Sequence, residues 1–269
     1  MQNLKVKAKF VEVSSFVVKL FQILGKGSVT MIHTEEILYQ EGMHSFRGFA
    51  AHDSSNPQPK PCVLIAHDWS GRNESACKKA QQLAELGYVG FALDMYGGAR
   101  TGVSKEEKRA LLDSVLVDRN QVPARMNAAL QAASLLSYVN PNKLAAIGYC
   151  FGGLCVLDLA RSGARMAGVV SFHGLLFAPE AMMCEKIHAK VLALHGYDDP
   201  LVPPTQVNTF AKEMTQKKVD WQLHMYGGTQ HSFTNPEAND ADMGLHYNAK
   251  ADRRSWATAV DFLNEVFGN

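Results

Sequence analysis

The amino-acid sequence predicts an α/β fold, a mostly parallel central sheet with helices on both faces. Short, unbroken apolar runs such as Cys62–Ala66, Tyr88–Leu93 and Leu144–Ile147 have the composition of strands buried on both sides. Amphipathic segments of helical period separate these runs, and strands alternating with helices are the mark of βαβ units. A third observation is local. In Gly148-Tyr149-Cys150-Phe151-Gly152-Gly153 an apolar run passes abruptly into a helical pattern, with a cysteine at the apex.

The elements follow in order. Ile37–Tyr39 and Phe46–Ala50 read as an opening strand pair around the turn residues Glu41-Gly42. Asp53 to Pro61 is too rich in proline and polar residues for a strand and reads as an exposed connection. After strand Cys62–Ala66, a helix is expected from Asn73 to Leu86, with Ala76, Ala80, Leu83 and Ala84 on one side and Gly87 as its stop. Strand Tyr88–Leu93 comes next, then helices Lys105–Val117 and Ala124–Tyr138 with a break at Pro123. The elbow strand and its helix precede strands at Met166–Phe172, Ala189–His195 and Asp220–Tyr226. A helix at Thr205–Gln216 joins the last two strands, and Tyr247–Val266 closes the chain. No internal repeat interrupts the pattern, so residues 31–269 form one domain.

Residues 1–30 stand apart. Lys5, Lys7 and Lys9 precede an apolar stretch, as in a secretory signal, but Glu12 and Lys19 interrupt it and Gly25-Lys26-Gly27 is a poor cleavage site. Val11, Phe16, Val17, Leu20, Phe21 and Leu24 fit one face of a short amphipathic helix; alternatively, Met31 is the true start. Either way the segment is expected to be an appendage to the core domain.

Composition excludes several classes. The 27 basic and 26 acidic residues give a net charge of +1 and are interspersed, leaving no basic face for nucleic acid and no polybasic patch for stable membrane association. No apolar run reaches the length of a membrane span. Five cysteines without C-x-x-C spacing argue against a disulfide framework or zinc knuckle and suggest a reducing, cytoplasmic setting. The pattern does not specify an oligomeric state.

The elbow carries the chemistry. A cysteine between glycines, at the start of a helix, meets unpaired N–H groups and the positive end of the helix dipole, which favours a thiolate and an oxyanion. A bland alternative is a buried cysteine on a tight strand–helix turn. The nucleophile needs a base and a group to orient it. His231, in the glycine-containing loop after the last strand, is the best placed of ten histidines, and Asp198 or Asp199 appears directly after strand Ala189–His195. His67-Asp68-Trp69 follows strand Cys62–Ala66, so the N–H groups of Phe151 and Trp69 are assigned to an oxyanion hole and the Asp68 carboxylate to the neighbourhood of the thiol. His173, at another strand end, reads as a structural or pocket-lining residue. His67, Asp68, Asp94 and His195 are scattered over separate loops without a compact ligand pair, so neither a metal nor an organic cofactor is expected.

These residues resemble the dienelactone hydrolase family of the α/β-hydrolase superfamily from about residue 35 to the C-terminus. The Cys150 elbow resembles the family's cysteine motif, Asp199-Pro200-Leu201-Val202-Pro203 its D-x-x-V-P loop, and His231-Ser232-Phe233 its H-x-F loop. The resemblance selects Asp199 over Asp198 and implies an α/β-hydrolase fold with a Cys150, Asp199, His231 triad. In the implied mechanism Cys150 attacks a small ester or lactone, forms an acyl-thioester, and water releases the acid. Asp94-Met95-Tyr96-Gly97-Gly98 is similar to the family's D-x-Y-G segment, with Arg100 close by. Tyr96, Arg100, His173, Phe233 and Asn235 are therefore candidate substrate contacts. Two departures stand out. Asp68 occupies the place where the best-known members carry Glu and reaches about one C–C bond less far, and Asn235 stands where they carry a carboxylate-clamping Arg. Alternatives on the same fold are a broad carboxylesterase and a thiol-reactive sensor or binding protein.

Overall fold

The computed structural model describes residues 30–179 and 186–268. The expected appendage, apart from Thr30, and Cys184 lie outside the described residues. Ile32–Asn269 forms one compact unit.

Strands β1 (Ile32–Glu41) and β2 (His44–Asp53) form a long antiparallel hairpin, pairing from Ile32↔Asp53 to Glu41↔His44. Gly42, at φ 55°, supplies the left-handed residue that so short a turn needs. The remaining strands of the main sheet are β3 (Lys60–Ala66), β4 (Val89–Ala92), β5 (Val139–Tyr149), β6 (Gly168–Phe172), β7 (Lys190–Gly196) and β8 (Trp221–Tyr226). Their order is β1-β2-β4-β3-β5-β6-β7-β8, parallel from β4 to β8, with β2 antiparallel to β4.

Among the described residues, six helices cover this sheet: α1 (Glu74–Glu85), α2 (Lys105–Leu116), α3 (Gln121–Ser134), α4 (Phe151–Arg161), α5 (Pro204–Gln216) and α6 (Ala249–Phe267). The two-residue period of the strands divides the core between the faces. Cys62, Leu64 and Ala146 join Met126, Leu154 and Phe210, whereas Val63, Ile65 and Ala145 join Leu83, Phe262 and Leu263. Helices α3, α4 and α5 thus cover one face, and α1 and α6 the other. Among the described residues, no helix is long and apolar enough to cross a membrane.

Pro123 does not break a helix. It sits in the first turn of α3, where its missing N–H would have had no intrahelical partner, and α3 ends at Ser134 rather than Tyr138. The elbow strand is longer than its apolar centre, because Val139–Lys143 precede Leu144 on β5.

Candidate active site

Cys150 lies between β5 and α4 with φ 53° and ψ −113°, a conformation that costs a residue bearing a β-carbon about 1–3 kcal/mol. The surroundings hold it there. The Cys150 N–H donates to the Phe172 carbonyl at 3.0 Å and to Nδ1 of His173 at 3.1 Å. Gly148 and Gly152 let the backbones close around the turn: a β-carbon on Gly148 would lie 2.0 Å from the Gly152 carbonyl oxygen, and one on Gly152 would lie 2.0 Å from that of Ala66. Both obstructions are backbone, so neither can swing aside. Gly152→Ala is expected to cost about 3 kcal/mol or more, a fall in thermal midpoint of roughly 10 °C for a domain of this size. Calorimetry beside Gly227→Ala, where the space is open, checks this. Equal midpoints for the two variants would contradict it.

Asp199 and His231 meet the sulfur from the loops after β7 and β8, two and three strands along the sheet from β5. Asp199 is buried beyond β7. Its Oδ1 accepts the Leu201 N–H at 2.8 Å, and its Oδ2 accepts from Nδ1 of His231 at 2.7 Å. That bond holds a proton on Nδ1 and turns Nε2 toward Cys150 Sγ at 3.1 Å. Asp198 is exposed and takes no part. The short strands β9 (Asn239–Asp240) and β10 (Leu245–His246) brace the histidine: its N–H donates to Gly244, and its carbonyl accepts from His246. Burial alone would lower the His231 pKa. The facing Cys150 and the Asp199 carboxylate outweigh it and push the pKa up to about 10.

The β3–α1 loop runs beside the elbow, since Ala66 pairs with Gly148. Among the described residues, neither the Phe151 N–H nor the Trp69 N–H donates a hydrogen bond. Tyr96, buried, stacks on Phe151 (5.9 Å between centroids, 8° between planes) and donates its hydroxyl to the Trp69 carbonyl at 3.1 Å. It supports this loop from beneath. Asp68 is tied into the same loop, its Oδ1 accepting from the Ser70 N–H at 2.7 Å, and no hydrogen bond joins it to Cys150. The sulfur's partner here is His231.

Other candidates turn out to be supports. Asp94 is wholly buried and accepts four backbone N–H groups, from Arg47, Tyr96, Gly97 and Ala99. Nε2 of His67 accepts the Met95 N–H at 3.1 Å while Nδ1 donates to the Asp68 carbonyl, and burial keeps the ring neutral. Phe233 is completely buried beneath His173 (5.0 Å, edge-on), which removes it from substrate contact. Asn235 is exposed, and its Oδ1 accepts from the Glu237 N–H to form a turn. The Arg100 guanidinium donates to the Tyr96 and Gly97 carbonyls beside a cavity of about 530 Å³ that includes Arg125 and Gln121 but not Cys150 or His231.

His173 has a definite place that the sequence only outlined. Its Nδ1 accepts from the Cys150 N–H, so Nε2 donates to Thr234 Oγ1 at 2.8 Å, and its ring lies edge-on to His231 at 5.2 Å. Burial holds its pKa well below the ordinary value, so it is a neutral strut between the elbow and the base loop. Thr234 was missed; its only sequence signal is its position three residues after His231.

Residues 46–267 match the model of the dienelactone hydrolase family. An uncharacterized protein of Caenorhabditis elegans is 39% identical over 156 residues, which are 56% of this chain and 98% of that protein. A probable 2-oxo-3-(5-oxofuran-2-ylidene)propanoate lactonase of Bradyrhizobium is 27% identical, covering 76% of this chain and 83% of its own length. Among solved structures, a dienelactone hydrolase-like promiscuous phosphotriesterase from metagenomic libraries superposes with a TM-score of 0.84 at 34% identity, covering 88% of this chain and 99% of its own.

Proposed function

The chain belongs to the dienelactone hydrolase family, and on that premise we propose that it hydrolyses small esters or lactones through a cysteine nucleophile and an acyl-thioester intermediate. The observation that carries this reading is the relay from Cys150 Sγ to His231 (3.1 Å) to Asp199 (2.7 Å) on a strained elbow. Cys150 passes its proton to Nε2 of His231 as Sγ attacks the carbonyl carbon. The developing oxyanion takes the unclaimed N–H groups of Phe151 and Trp69. His231 delivers its proton to the leaving alkoxide and then takes one from the water that attacks the thioester, while Asp199 keeps the imidazole in its tautomer throughout. In a lactone the leaving alkoxide stays attached, so the product is a single hydroxy acid.

The test is acylation. Quenching p-nitrophenyl acetate turnover early should leave one acetyl group on the peptide containing Cys150, with product formed over many turnovers. Turnover with the acetyl group elsewhere, or none, would sink the mechanism. A single labelling event without turnover would favour the thiol-reactive sensor. Parallel rates for lactones, thioesters and simple esters then separate a lactonase from a broad carboxylesterase.

A further inference from the structure

A second group of potential ligands lies far from the cysteine. His33 and Glu35 are two residues apart on β1 and so project from the same face of the sheet. His52 on β2 is the cross-strand partner of His33. One donor atom from each of the three lies within 4.8 Å of the others. We propose that His33, Glu35 and His52 form a binding site for a divalent late transition-metal ion of the Zn²⁺ class.

Three features make this more than proximity. The first is the donor set: two imidazoles and a carboxylate suit Zn²⁺. Ligand atoms around a tetrahedral Zn²⁺ stand about 3.4 Å apart, from bonds near 2.05 Å, so three donors already within 4.8 Å of one another need only a small closure. The second is preparation of the ligands. Tyr138 donates its hydroxyl to one oxygen of Glu35 at 2.8 Å and stacks on His52 with centroids 3.9 Å apart, fixing both as outer-shell partners do. The third is an unmet polar atom. His52 is 9% exposed, and its buried Nδ1 has no hydrogen-bond partner. The nearby Lys60 ammonium donates instead to the carbonyls of Asn56 and Gln58.

The site sits by Lys60 and Val139, where β3 and β5 begin, whereas Cys150 lies where they end. The seven residues of β3 put about 20 Å between those ends. The ion therefore takes no part in ester hydrolysis. It ties β1 to β2 and, through Tyr138, to the segment entering β5. The sequence pattern alone did not point to it, because the ligands meet only when the hairpin pairs.

The experiment uses the untagged full chain after treatment with chelator. Calorimetric titration with Zn²⁺ should show one saturable equivalent, with a rise in thermal midpoint of about 5 °C at a hundredfold excess over the dissociation constant. His33→Ala and Glu35→Gln should each weaken binding about tenfold or more and cut the rise in midpoint to about half or less, with esterase rates unchanged. His44→Ala, at the other end of the hairpin, should bind as the parent does. Absence of saturable binding, or parental affinity in both His33→Ala and Glu35→Gln, would overturn the proposal.

Discussion

Replacing Cys150 with alanine is expected to lower kcat/KM toward activated esters by about 10⁴-fold or more, with the folded state left intact. The two halves of this expectation have separate causes. Sγ is the atom that His231 faces; on the proposed mechanism, without it no covalent intermediate forms, and what remains is the proposed oxyanion donors acting on an unactivated water. Stability should move by less than about 1 kcal/mol, because Cys150 is only partly buried and alanine bears the same β-carbon in the same strained conformation. Matched thermal midpoints and far-UV spectra with a collapsed rate are the predicted pair of readings. Undiminished turnover would remove Cys150 from the mechanism. Cys150→Ser should also lose most activity, since a hydroxyl needs a stronger base than a thiol to become a nucleophile.

Much of this fold was legible because burial on two faces leaves a simple mark. The runs around Leu64, Phe91, Ile147 and Val169 are apolar at nearly every position because each strand has helices above and below. The glycines of the elbow were legible for a related reason, since Gly148 and Gly152 stand where two backbones leave no room for a β-carbon. Edge strands leave fainter marks. β1 is partly exposed along most of its length, so only its apolar centre was recognised, and the paired strands run to more than twice the expected length. Pro123 was misplaced because a proline reads alike as a helix stop and as a first-turn residue, and only the orphan donors of the real helix end distinguish the two.

At the candidate site, strand order gave the approach of Cys150, Asp199 and His231, because loops after parallel strands of one sheet open on the same edge. Side-chain direction was not legible in that way. Tyr96, Phe233 and Asn235 stand near the right loops in sequence, yet one supports Trp69, one fills the core and one forms a turn. The strut from Cys150 through His173 to Thr234 joins residues 84 positions apart in the chain (234 minus 150), and no local pattern announces it.

The second large effect belongs to Asp199→Asn. The amide retains the size of the carboxylate and can still accept the Leu201 N–H through its oxygen, so folding should survive. Its nitrogen then faces Nδ1 of His231 and donates where the carboxylate accepted. The ring must accept there and carry its proton on Nε2, the wrong tautomer for a base directed at sulfur. A fall in kcat of about 10³- to 10⁴-fold is expected, larger than its effect on KM. The pH behaviour separates this from a packing defect. In the parent, burial works against protonation of His231, but Cys150 and Asp199 raise its pKa to about 10. A pKa raised by folding stabilises the native state fully below the unfolded value near 6.5, and that contribution is lost as pH rises through about 10. The stability gap between parent and Asp199→Asn should therefore narrow over that interval, and the alkaline limb of kcat/KM should move to lower pH in the variant. An unshifted alkaline limb would mean that Asp199 does not set the charge of His231, because loss of packing alone lowers the rate without moving the proton.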